Sequence, residues 1–382
     1  MSAPAGDMFS PAARAVAAEM GLSMGRANLE VFAETLLALA RGDRDLLVVT
    51  SDSRGSGKLV GFGQTLPDQH IEVGIAEQNL VGIAVGLAAA GKRVFAVSPA
   101  CFLTARALEQ IKNDVAYSDH PVKLVGISAG VSYGALGSTH HSLHDLAALR
   151  AINNLDIVVP ADNVETAAAV RAAAAHGRPI YLRFGKAPQY TLPDGDGPFE
   201  IGRGRILAEG RDVAFIATGE AVIHALQAGR ALSAEGISCT VVSVHTIKPL
   251  DVQLIRRVAQ QCRAVVTVEE HSVHGGLGEA CAAVLMQAGI DVGLQIVGIA
   301  DEYTLTGSQA DIFAHYGLSM ESLAQTARRL LIARDKGRRH EPGPGNRSKH
   351  VSHESDPLQR RRPAHSQSRA GAPPALPPSG MG

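Results

Sequence analysis

Short apolar runs, each long enough for one strand, alternate along this chain with stretches whose apolar residues recur at helical spacing. That rhythm leaves few folds open. Strands joined through helices lie parallel, with helices covering both faces of the sheet. The runs at 46–50, 93–97, 122–127, 155–159 and 180–184 read as such strands. Between them the spacing predicts helices over 26–41, 80–90, 103–117, 143–150 and 164–176, the last capped by Asp162 or Asn163. Residues 188–203 break the rhythm, because Pro, Gly and Asp dominate there. A second alternation follows, with strands at 213–217, 239–244, 264–268 and 294–299 and helices at 221–235, 251–261, 278–288 and 320–334. The expected fold class is α/β: two doubly wound, mostly parallel sheet domains at 25–187 and 204–335, joined by a linker at 188–203.

Both ends fall outside this scheme. Residues 1–24 show no clear periodicity and read as a loose lead-in, with Met24 as an alternative start. From 336 to 382 the composition turns to Pro, Gly, Ser, Arg and His, which predicts a disordered tail. The intervening length suits two or three domains, and 46% apolar residues suffice for packed cores. A net charge of −1 gives no electrostatic reason to expect nucleic acid. Cys101, Cys239, Cys262 and Cys281 form no C-x-x-C pair and no zinc-spaced cluster with His, so reduced thiols in a cytoplasmic protein are expected. The longest apolar run, 80–91, is about half of the ~20 residues a membrane span needs, and the first residues lack a signal-peptide pattern.

One stretch stands out for chemistry: I-E-V-G-I-A-E-Q-N at 71–79. Ahead of it lies a polar, glycine-rich segment at 51–63, which follows a strand and has the composition to wrap a polar ligand. Behind it the helical pattern is apolar on nearly every side, so the helix is expected to be buried. Glu77 stands at its entrance. A carboxylate there either complements the positive helix end or serves a site.

Seven motifs turn this into a resemblance. They are G-I-A-E-Q-N-L-V-G-I-A-V-G-L-A (74–88), R-A-L-E-Q-I-K (106–112), G-S-T-H-H-S-L-H-D-L-A-A-L-R (137–150), P-A-D-N-V-E (160–165), D-V-A-F-I-A-T-G (212–219), H-T-I-K-P-L-D (245–251) and T-V-E-E-H-S-V-H-G-G-L-G (267–278). In this order the chain resembles the C-terminal half of a transketolase, a pyrimidine-binding domain followed by the transketolase C-terminal domain, over about residues 26–334.

The resemblance implies thiamine diphosphate as cofactor and a ketol transfer between sugars. Glu77 falls on the glutamate that hydrogen-bonds the aminopyrimidine nitrogen, so it is the expected catalytic acid. Phe102 falls where a ring stacks on the aminopyrimidine; a core phenylalanine is the other reading. Asp52 falls near the cofactor, or only caps its loop. His140 matches the substrate-facing histidine, with His141 and His144 as alternatives. Arg183, Arg26 and Ser56 match contacts to the sugar phosphate, or are solvated or interface groups. The chain also departs from the pattern. Pro99 and Ala105 replace aromatic residues, Ala135 and Leu136 replace an acidic pair that reads sugar hydroxyls, and Ser128 replaces a phosphate-binding histidine.

The family holds the diphosphate and its metal through a G-D-G motif followed by Asn. Here G-D-G occurs at 195–197, within the linker, with no such helix after it. The expectation is a split enzyme: an N-terminal partner subunit supplies the diphosphate site and Mg2+ or Ca2+, the metal ligands of this chain are none, and the assembly is an α2β2 heterotetramer. A 2-oxoacid-decarboxylating relative, of the deoxyxylulose-phosphate synthase or dehydrogenase beta-subunit type, and a non-catalytic partner subunit are the alternatives.

Overall fold

The computed structural model describes residues 8–340, with side chains through 336. The expected disordered tail lies outside the described residues. In chain order the strands are β1 (Met24–Ala27), β2 (Leu46–Thr50), β3 (His70–Glu72), β4 (Arg93–Pro99), β5 (Lys123–Ile127), β6 (Asp156–Val158), β7 (Ile180–Arg183), β8 (Pro188–Tyr190), β9 (Arg205–Ala208), β10 (Val213–Ala217), β11 (Cys239–Ser243), β12 (Thr246–Lys248), β13 (Ala264–Ser272) and β14 (Gly293–Ile299).

One sheet runs β12-β6-β7-β5-β4-β2-β3 and a second runs β14-β13-β10-β11-β9. Neighbours are parallel except at the edges, where β12 and β9 run antiparallel to β6 and β11. The central strands are apolar on both faces, because helices cover both. One core lies between the two halves: Val49, Leu80 and Leu124 of the first pack in the same cluster as Ile216, Val244 and Ile247 of the second. Phe32, Phe95 and Phe184 fill the far side of the first sheet.

Several expectations needed correction. The lead-in contains a helix, Pro11–Glu19, capped by Ser10. Phe9, Ala13 and Ala17 recur every four residues and are buried against the helix Ala221–Ser233, and the Gln227 side chain donates to the Ala13 carbonyl at 3.1 Å. The linker begins as β8, which pairs with β1 across the first unit. The second half also lends a strand to the first, since β12 belongs by sequence to the second half and hydrogen-bonds at the edge of the first sheet. The helix expected over 103–117 is instead Ala100–Arg106, a short turn, and then wide π-helical turns over Ile111–Tyr117. The cap at 162 or 163 is Asp162, whose side chain accepts from the Glu165 amide.

The helix Glu77–Ala89 is less buried than its composition suggests. Leu80, Val81, Ala84 and Ala88 face the core, while Gln78, Gly82, Gly86 and Ala89 are exposed. Among the described residues no helix is long and apolar enough to cross a membrane.

Candidate active site

The chain leaves β2 for β3 on one side and returns to β4 on the other. The carboxyl ends of β2, β3, β4 and β5 therefore form the crevice where parallel sheets place ligands. Backbone strain marks the same edge. Asp52 and Ser128, just past β2 and β5, have φ of 52° and 54°. Ser51 donates to the Ser98 hydroxyl at 2.7 Å and Ser53 to the Val97 carbonyl at 2.8 Å, which ties the β2 loop to β4. The Asp52 amide donates to Glu72 at 2.6 Å, and Glu72 also accepts from the Thr50 hydroxyl and the Gly74 amide. Burial pushes the Glu72 carboxyl up, but these donors together outweigh it and hold it below the usual range. The loop leading to Glu77 is thus pinned, with the Asp52 side chain exposed beside it.

Glu77 opens its helix and is only 3% exposed. Arg106 Nη1 donates to both of its oxygens, at 2.9 and 3.0 Å. The same guanidinium, about half exposed, lies over the Phe102 ring, 4.3 Å from its centroid. Phe102 and Arg106 stand four residues apart on one helix, the spacing at which side chains meet. Phe102 meets His140 edge-on at 5.3 Å, and His140 meets Tyr133 edge-on at 5.5 Å. Lys186 Nζ lies over Tyr133, 4.7 Å from the ring centroid. Burial pushes the Tyr133 hydroxyl up, while the hydroxyls of Ser128 and Ser56 act on it in the other direction. A continuous wall results, from the buried acid through an aromatic ring and a histidine to a phenol and an ammonium.

Among the expected residues, Phe102 and His140 meet here and Glu77 reaches Phe102 through Arg106, whereas the Ser56 hydroxyl donates to the Ser53 carbonyl at 3.3 Å. The three histidines separate. His141 is buried, with Nδ1 bonded to Thr304 and Nε2 to the Gly134 carbonyl, and burial lowers its pKa. His144 faces Thr104 at 3.3 Å.

Arg183 and Arg26 both make contacts within the chain. Arg183 is 5% exposed; Nε donates to Asp145 at 2.7 Å and Nη2 to the carbonyls of Ser142 and Glu270. Its guanidinium pins the junction between the halves. Arg26 forks onto Glu34 of the next helix, with Nη2 at 2.6 Å from Oε2. Sequence reasoning missed Arg106, Tyr133 and Lys186. The i, i+4 pairing with Phe102 was a readable signal for Arg106, whereas nothing local ties Tyr133 or Lys186 to His140.

A second polar cluster lies behind Arg183. Glu270 accepts from the Val131 amide and from Gln309, both at 2.8 Å. Burial pushes Glu270 up to about 7. Burial and then the neighbouring Glu270 push Glu220 up to about 8. Glycines make room for both: a Cβ at Gly130 would lie 2.3 Å from the Glu270 carboxyl carbon, and one at Gly185 would lie 2.2 Å from a Glu220 oxygen.

Comparisons with known proteins place the chain in a family. The family model for the transketolase pyrimidine-binding domain matches residues 25–189, and that for the transketolase C-terminal domain matches 202–323. The chain therefore belongs to the transketolase family. It is 47% identical over 300 residues to one of the subunits of the apulose-4-phosphate transketolase of Phocaeicola vulgatus, across 78% of this chain and 95% of that one. It is 38% identical to a putative transketolase C-terminal section of Methanocaldococcus jannaschii, across 77% and 93% of the two chains. Among solved structures, a split-gene transketolase described as an inactive β4 tetramer superposes with a TM-score of 0.73 at 36% identity, across 81% of this chain and 99% of that one.

Proposed function

We propose that this chain is the C-terminal subunit of a split, thiamine-diphosphate-dependent transketolase, which moves a two-carbon ketol unit from a ketose phosphate to an aldose. The carrying observation is the buried carboxyl of Glu77, joined through Arg106 to the ring of Phe102, which in turn meets the imidazole of His140. That set fits an aminopyrimidine, which offers one flat face and one basic nitrogen at its edge. When bound, the cofactor supplies the carbanion chemistry. Glu77 would hold the proton at the ring nitrogen, and Phe102 would bear the ring face. Asp52 would border the ring through its pinned loop. His140 would donate to a substrate hydroxyl.

Two features support assembly with an N-terminal partner that carries the diphosphate and Mg2+ or Ca2+. The bare face of Glu77–Ala89, with Ile75 73% exposed just ahead of it, offers an apolar surface beside the acid. We assign that face to a heterotetramer interface. The solved relative formed of β chains alone is described as inactive, as a split site requires.

Ala135 and Leu136 lie exposed at the turn before His140, where the family's hydroxyl-reading acids would stand. An apolar rim there favours a modified sugar, and the sugar phosphate in the name of the Phocaeicola relative is the first to test. The experiment is co-expression with the partner chain and assay of ketol transfer from ketose phosphates. Turnover of pyruvate alone would instead favour the decarboxylating reading. Full activity after Glu77→Ala would favour the non-catalytic one.

A further inference from the structure

The second half of the chain reaches into the loop that carries His140. Its own loop, 300–308, leaves β14 and ends where Ser308 caps the helix Gln309–His315. The two loops run past each other in opposite directions and touch at four levels. The Gln309 side chain and the Val131 amide both donate to Glu270, at 2.8 Å. A Cβ at Gly134 would strike the Gly307 carbonyl, and one at Gly137 would lie 2.9 Å from the Thr306 methyl group. Gly137 also has φ of 71°, so glycine serves there twice over. At the fourth level Thr304 Oγ1 lies 2.8 Å from Ser138 Oγ and 2.8 Å from His141 Nδ1. One hydroxyl from the second half therefore grips the loop on both sides of Thr139 and His140.

The direction of these bonds follows from donor chemistry. A carbonyl only accepts, so His141 Nε2, 3.0 Å from the Gly134 carbonyl, carries the ring proton. Burial favours the neutral ring, which leaves Nδ1 as an acceptor. Thr304 therefore donates to Nδ1 and accepts from Ser138. Within this clamp the His140 amide donates to the Gly137 carbonyl at 2.9 Å, and the Thr139 hydroxyl lies 2.9 Å from His140 Nδ1. The ring then stands edge-on to Phe102 and Tyr133.

We propose that Thr304 is a positioning residue for ketol transfer: its hydroxyl holds the 138–141 segment so that His140 meets the substrate. The proposal rests on the reading of His140 as the group that donates to the substrate, and it makes the second half of the chain part of the site's machinery. A contact between side chains and substrate depends on the shell that orients it, and a small misplacement is costly.

The test is a double-mutant cycle on the complete two-subunit enzyme. Thr304→Val keeps the side-chain shape and removes the hydroxyl. It is expected to lower kcat/KM for the donor by ~10-fold, and Thr304→Ser to restore most of that loss. On the His140→Ala background, Thr304→Val is expected to change kcat/KM by less than ~2-fold, because the hydroxyl acts through His140. A loss arising only from looser packing would be the same size on both backgrounds, and equal losses would overturn the proposal. An unchanged kcat/KM in Thr304→Val would overturn it as well, while leaving the role of His140 intact. Full activity in His140→Ala would overturn that role and the proposal together.

Discussion

Arg183 and Asp145 form an ion pair closed to solvent on both sides, with Nε 2.7 Å from Oδ2 and neither side chain more than 6% exposed. Tyr181 donates to the same carboxylate oxygen at 2.8 Å. Burial pushes Asp145 up, but Arg183, His271 and Tyr181 together hold it below the usual range. Removing one partner of such a pair strands a buried charge. Arg183→Ala should therefore destabilise the protein by ~3–5 kcal/mol, read from the denaturant midpoint. A raised sugar-phosphate KM with an unshifted midpoint would return Arg183 to the substrate.

The buried acids at the junction predict a pH dependence. Glu220 faces Glu270 and Arg183, and Glu270 faces Arg183, Gln309 and the Val131 amide. Their folded-state pKa values, about 8 and about 7, stand above the ordinary 4.5. Within that window the folded chain holds protons that the unfolded chain has lost. The stability these groups contribute is thus complete below the ordinary value and falls as pH rises towards about 8. The slope is at most about 1.4 kcal/mol per pH unit for each proton. Glu220→Gln should flatten the profile and raise the melting temperature at its alkaline end. A wild-type profile rising between pH 5 and 8 would contradict the assignment.

His140 and His141 should part experimentally. His140→Ala should lower kcat/KM for the donor by ~10–100-fold with little change in melting temperature, because the proposed function has its ring donate to the substrate. His141→Ala should instead lower the melting temperature, since it removes the bonds to Thr304 and Gly134. The reverse pattern in paired kinetic and thermal measurements would reassign the roles.

Glu77→Gln should lower kcat of the assembled enzyme by ~10²–10⁴-fold. An amide has no proton to share at a usable pKa. The fold should survive, because the stranded partner, Arg106, is half exposed and regains water. Activity and thermal unfolding, measured on the same preparation, check both halves of the statement.

Local pattern revealed the strands and hid what depends on distant partners. The runs containing Val48, Phe95 and Val125 read as central strands because both faces of each are covered, leaving no polar alternation to confuse them. β12 was unreadable, since Thr246, Ile247 and Lys248 form a strand through pairing with Val158 and Ile157, about ninety residues away. Ala13 and Ala17 gave too weak an apolar signal to announce a helix whose stability comes from docking. Glu77 and His140 lie within motifs, and Phe102 was singled out only through the resemblance those motifs carry. The commitment of Arg183 to Asp145 was not, because both residues look like free charges until the halves pack.

The most direct test is titration of thiamine diphosphate with Mg2+ into this chain alone and into its complex with the diphosphate-binding partner. The account predicts no measurable binding to the lone chain, micromolar or tighter binding to the complex, and ketol transfer by the complex only. Tight binding of cofactor and metal by the lone chain would contradict it.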